Sequence, residues 1–352
     1  MRKIFTLLFV GLAAFSASAQ QVVKTFPSAK QSKSGAPLLA APAQTPSSID
    51  DKALGTKIFA TQLMDESKLR SWLYFYDKNP YNLNRVNIFE NEQGWQINGI
   101  LLGAWGGDNY YCYYGKMNNM DNGMQWRGFK QFTTLDARTG QLGTTLWDMS
   151  AEATTAKDGL VVFDYGAGNS EFNNLLDMTY DPKNDLLYTS EAYQQNASSD
   201  AVTILYSIDK TTGKLSKVNT IEDQIQYFCF DMDGNMWAIS PYWKETGKDE
   251  KNNPIFTFSG NYLTKYDENF EAVDGMRFII KDQNKNNIFA TSYGSMGFDH
   301  STGELYFTAR VANDATSMPY DKLMKIDTTN GKVVESNTFA SGNLIIGMYI
   351  PY

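Results

Sequence analysis

The chain has 352 residues, 31 basic against 39 acidic side chains, a net charge of −8 and 14% aromatic residues. No Lys/Arg cluster stands out, which disfavours nucleic acid and anionic membranes as partners, because both require concentrated positive charge. A single histidine and two cysteines supply no ligand set at zinc spacing, so neither a metal nor a cofactor is expected.

In chain order, Arg2 and Lys3 precede an apolar run from Ile4 to Phe15 and then Ala17-Ser18-Ala19. This layout predicts a signal peptide over residues 1–19. The apolar run is too short for a membrane anchor, so the chain is expected to be exported, periplasmic or extracellular, with no transmembrane segment. Residues 20–53 are rich in Ser, Ala, Pro, Gln and Lys and read as a flexible leader, since they cannot bury enough apolar surface to offset ordering entropy. The folded domain is expected over residues 54–352.

Within that domain one unit recurs. Leu205-Tyr-Ser-Ile-Asp209-Lys-Thr-Thr-Gly213-Lys-Leu215 is echoed by Leu73–Asp77, Phe132–Asp136, Leu263–Asp267 and Leu323–Asp327. The aspartates are 59, 73, 58 and 60 residues apart, a near-constant period that marks a repeat architecture. Each should cap a turn by accepting from backbone N–H groups just downstream. Ahead of them lie apolar strand candidates at Ile100–Trp105, Leu175–Asp181, Tyr227–Asp231, Ser295–Asp299 and Leu344–Ile350. Three of these enter tight Asp/Asn/Gly/Pro turns and a second strand, which is hairpin chemistry. The pattern predicts four-stranded antiparallel blades and hence an all-β, five-bladed β-propeller, with six or seven blades as alternatives. Leu344–Ile350 has no partner strand after it. Lys57–Leu63 and Trp72–Asp77 are the strands that would complete it, so the last blade should be closed by strands from both termini, leaving no open edge.

The strand-and-turn motifs Leu205–Leu215, Leu323–Val333 and Asp231–Trp237 resemble secreted bacterial β-propellers with quinoprotein-like or YVTN-like repeats. The leader and the ending Met348–Tyr352 look like those of Bacteroidetes-type exported proteins. The resemblance implies the blade and a group of binding platforms, scaffolds and a minority of enzymes, and it assigns no site residue.

Asp231-Met-Asp-Gly-Asn235 has the look of a calcium loop, but position twelve is Tyr242 where a bidentate Glu is needed, so it reads as a turn. His300 reads as an exposed turn residue. Cys112 and Cys229 fall in non-adjacent blades and should remain separate buried thiols. The face opposite the Asp turns, where the chain enters each blade, gathers amides and aromatics: Trp95, Asn98, Asn174, Tyr193, Gln226, Tyr227, Tyr242, Trp243, Tyr293, Arg310 and Asn343. Flat aromatic faces beside amides suit sugar rings. The reading is an exported non-catalytic binding protein that takes a glycan or a protein/peptide ligand at the central mouth. One alternative is a secreted glycoside hydrolase or lyase using Asp177 with Glu171 or Asp223, which needs two carboxylates about 5–10 Å apart. Another is a structural component of the cell envelope.

Overall fold

The computed structural model describes residues 57–64, 70–89, 97–119, 125–148, 174–193, 202–250, 252–312, 320–339 and 344–351. The segments that read in sequence as a signal peptide and a leader lie outside the described residues. The chain opens with β1 (Lys57–Met64), β2 (Arg70–Tyr76) and β3 (Asn79–Phe89). Blade one is β4 (Ile97–Trp105), β5 (Tyr110–Asn119), β6 (Gln125–Leu135) and β7 (Leu142–Asp148). Blade two is β8 (Asn174–Asp181), β9 (Leu186–Tyr193), β10 (Val202–Ile208) and β11 (Leu215–Ile221). Blade three is β12 (Tyr227–Phe230), β13 (Met236–Lys248), β14 (Pro254–Tyr266) and β15 (Ala272–Ile279). Blade four is β16 (Phe289–Asp299), β17 (Glu304–Ala312), β18 (Tyr320–Asp327) and β19 (Lys332–Thr338). The last strand, β20 (Leu344–Tyr349), pairs antiparallel with β1, giving blade five the order β20-β1-β2-β3.

The fold is thus a five-bladed propeller whose ring is closed by both ends of the chain, as the repeat predicts. The innermost strands touch in the cyclic order β20, β4, β8, β12, β16. Burial follows from this placement. Every residue of β12 is buried, because neighbouring blades cover both of its faces, whereas the outermost β11 and β15 expose Ser216, Lys217 and Asp274 to solvent. The apolar residues divide into five clusters, each shared by two neighbouring blades. The core of this molecule is therefore its five seams.

Each seam also carries a polar stitch, since backbone groups buried between blades must find partners. Tyr113 Oη donates to the Gly213 carbonyl (2.7 Å) between blades one and two. The Phe228 N–H donates to Asp177 Oδ2 (3.1 Å) between two and three. The Ala290 N–H donates to Asn261 Oδ1 (2.8 Å) between three and four, and the Met348 N–H to Ser295 Oγ (2.9 Å) between four and five. Tyr110 Oη donates to the Gly347 carbonyl (2.7 Å) at the closing seam. Gly347 has φ 57°, and a Cβ there would strike the Tyr110 hydroxyl, so glycine is required twice over.

The Asp series behaves as turn caps. Asp136, Asp209, Asp267 and Asp327 each accept from the N–H two residues on, at 2.7–2.9 Å, and Asp77 accepts from the Lys78 N–H at 2.8 Å. Asp231 likewise accepts from the N–H groups of Asp233 and Asn235, and from the side chains of Asn235 and Trp237. Its oxygens are used within the turn. Cys112 and Cys229 are buried and unbridged, and burial pushes both thiols well above their usual range. Two expectations need correction. Lys244–Pro254, rich in Lys, Asp, Asn and Gly, reads in sequence as a loop, but β13 and β14 run through most of it as paired strands, Lys248 opposite Pro254. His300 is half-buried rather than exposed, because Met232 and Phe298 from the seam pack against its ring.

Candidate functional site

The β13–β14 hairpin is the longest in the molecule among the described residues, at 13 residues a strand. β12 pairs only with Met236–Ile239, and β15 only with Tyr262–Tyr266, so the rest of the hairpin continues past the blade on the entry face. The register shifts between Pro241 and Trp243. Proline has no N–H for the ladder, and the bulge there re-aims the side chains that follow.

On one face of the hairpin Tyr242 packs on Tyr262, ring centroids 4.8 Å apart and tilted by 52°. The Arg277 guanidinium lies over the other part of this cluster, 5.5 Å from the Tyr262 ring centre. Arg277 pairs with Asp223, which also accepts from Tyr266 Oη at 2.6 Å. Burial, and then the nearby Tyr242, raise the Tyr262 hydroxyl above its ordinary pKa, with Arg277 opposing, so it stays a neutral donor at pH 7. On the other face Trp243 sits opposite Phe258, rings 5.6 Å apart, and Phe258 meets Phe289 of blade four edge-on. Beside them Asn261 donates to Gln226 Oε1 (3.1 Å), and Asn287 donates to the Ser259 carbonyl (2.8 Å). Each face of this hairpin thereby carries a ring pair, with the amides beside the Trp243–Phe258 pair.

The structure brings Gln226, Tyr242 and Trp243 together here. Tyr227 is elsewhere: it is 7% exposed, with its ring 5.3 Å from Phe307 in the seam between blades three and four. Arg310 forms a two-pronged pair with Asp321 directly across the sheet, at 3.0 and 3.2 Å. Asn98 and Asn174 stand at the entry ends of β4 and β8, Tyr193 ends β9, and Tyr293 lies within β16. Trp95, Asn343 and Glu171 lie outside the described residues. Sequence reading missed Phe258, Asn261, Tyr262, Arg277 and Phe289. The one available signal was the period-2 run of aromatic and polar residues in Pro254–Tyr266.

The carboxylates are held by separate partners. Asp177, in a bulge of β8, is 4% exposed and accepts from the N–H groups of Met178 (2.9 Å) and Phe228 (3.1 Å). Burial pushes its pKa up to about 8, against the opposing effect of those two donors. Glu191, 3% exposed, takes the Tyr206 hydroxyl at 2.5 Å, and burial raises its pKa too. Asp223 is held by the third and fourth strands of blade three through Tyr266 and Arg277, while Asp177 is held by innermost strands. Among the described residues no three His, Cys, Asp or Glu side chains are grouped to hold a metal ion, and no helix is long and apolar enough to cross a membrane.

No protein-family model matches the chain, and no curated protein matches it in sequence. Solved structures resemble it at low identity. An N-acetylgalactosamine deacetylase from F. plautii is 9% identical with a TM-score of 0.40, 73% of each chain being covered. A family 43 glycoside hydrolase from Bacillus licheniformis is 10% identical at 0.37, covering 82% of this chain and 73% of that one. An auxiliary nutrient binding protein from Bacteroides ovatus is 9% identical at 0.26, covering 76% and 70%. The five-bladed assignment rests on the sheet order above.

Proposed function

We propose that the chain is an exported, non-catalytic binding protein that takes a glycan on the entry face, over the β13–β14 hairpin of blade three. The observation that carries this reading is the Tyr242–Tyr262 ring pair with Arg277 packed on it. Aromatic faces accept the C–H patches of a sugar ring, while a guanidinium donates to its hydroxyls. Among the described residues the hydrolase or lyase alternative draws no support from the carboxylates: Asp177 is buried and accepts from two backbone donors, and Asp223 is paired with Arg277. A peptide ligand at the same face and an envelope-structural role are the competing readings.

A glycan-array screen followed by titration with the best soluble oligosaccharide tests the proposal. Tyr242→Ala and Tyr262→Ala should each weaken binding about five- to thirtyfold, the loss of one stacked ring being about 1–2 kcal/mol. Equal binding by both variants, or no glycan bound by the parent protein, would reject it.

A further inference from the structure

The way Arg277 is held beside the Tyr242–Tyr262 pair narrows the class of sugar that fits there. Arg277 stands opposite Thr264 in the β14–β15 ladder, and its Nε donates to Thr264 Oγ1 at 3.2 Å. Its Nη2 donates to Asp223 Oδ2. Among the described residues these are its hydrogen bonds, and with the side chain 40% exposed, Nη1 is left to donate outward. A guanidinium grips a carboxylate best through two parallel N–H···O bonds. With Nε and Nη2 taken, neither such fork is complete. The single remaining edge suits a hydroxyl.

Asp223 is fixed as well. Its carbonyl accepts from Thr203 Oγ1 of blade two (2.7 Å) and from the Ile225 N–H (3.1 Å), which donates to Thr203 Oγ1 too (2.8 Å). Its carboxylate reaches into blade three, where buried Tyr266 donates to the same Oδ2 that Arg277 uses. Turning that carboxylate aside for another anion would break both contacts. The two charges oppose each other at the rings: after burial and Tyr242, which raise the pKa of the Tyr262 hydroxyl, Arg277 lowers it and Asp223 raises it.

We propose that this site takes uncharged sugars and rejects uronates and other acidic ones, and that Asp223 sets the choice by neutralising Arg277; the inference rests on the glycan reading of the same rings. A sugar carboxylate would bring a second negative charge beside Asp223 and compete with it for one guanidinium. Like charges set side by side exclude the wrong partner. A neutral ring meets the same aromatic faces and the Nη1 donor without that repulsion.

An array carrying neutral, uronate and sialylated glycans tests this, followed by titration at low ionic strength, where exposed charges act most strongly. The titrants are the best soluble neutral oligosaccharide and the same chain oxidised at C6 to a carboxylate. The parent protein should bind the neutral form at least about tenfold more tightly than the acidic one. Asp223→Asn keeps an oxygen for Tyr266 and leaves the Arg277 charge unopposed, so it should erase that preference. Arg277→Gln leaves Asp223 negative, so it should weaken the neutral form and widen the preference. Opposite shifts at one ion pair are not what a loss of folding produces. An acidic best ligand for the parent protein, or a ratio unmoved in both variants, would overturn the inference and leave the glycan reading standing. Binding of no glycan at all would overturn both.

Discussion

Asp177 joins two blades through one side chain, and its burial makes the joint depend on pH. Its pKa of about 8 in the folded chain lies above the ordinary carboxyl value of 3.8, so the native state holds the proton more tightly than the unfolded state does. That contribution is complete below about pH 4 and is lost as the pH rises through about 8. Stability should therefore fall with rising pH across that window, with a slope of at most about 1.4 kcal/mol per unit from this group. Asp177→Asn should flatten the profile between pH 5 and 8, measured by urea unfolding; an unaltered slope would show that Asp177 does not set it. A smaller effect belongs to the turn caps. Asp327 accepts from the Thr329 N–H and hydroxyl at 2.9 and 2.7 Å, and Asp327→Ala should cost about 1 kcal/mol.

At the scale of the element, the β13–β14 hairpin is ordered by what it rests on. A two-stranded ribbon is marginal in water, and this one is tied to blade four by Asn261, whose Oδ1 accepts the Ala290 N–H and whose Nδ2 donates to Gln226. Asn261→Ala would leave a buried N–H without its acceptor, at a cost of about 1–3 kcal/mol. Chemical denaturation should register that loss, and amide exchange should increase first in residues 254–261. Loss confined to blade five would argue against the tie. Only part of this hairpin was legible in sequence: the Leu263–Asp267 end carried the repeat signal, but Lys244 to Pro254, full of Lys, Asp, Asn and Gly, had the composition of a loop.

At the scale of the whole molecule, stability depends on closing the ring. β20 is the innermost strand of blade five and contributes Ile345, Met348 and neighbouring Ile350 to one apolar seam, while Gly347 accepts from Tyr110 at the other. Ending the chain at Asn343 would strip β1 of one of its two partner strands and open two seams. Thermal melting followed by circular dichroism should be cooperative for the full chain and lose that cooperativity in the truncated one, which should aggregate through the bared edge. A truncated chain that melts cooperatively near the full-length temperature would mean that four blades suffice.

Blade number, turn positions and the joining of the two ends could be read from the residues alone, because they are written in local chemistry: aspartate-capped turns, glycines at positive φ and apolar runs at a steady spacing. Only the folded ring decided what meets across a seam. Tyr110 reaches Gly347, Asp177 reaches Phe228, Arg277 reaches Asp223, and His300 reaches Met232. These partners are set by the angle at which one blade packs on the next, a quantity that no short stretch of sequence encodes.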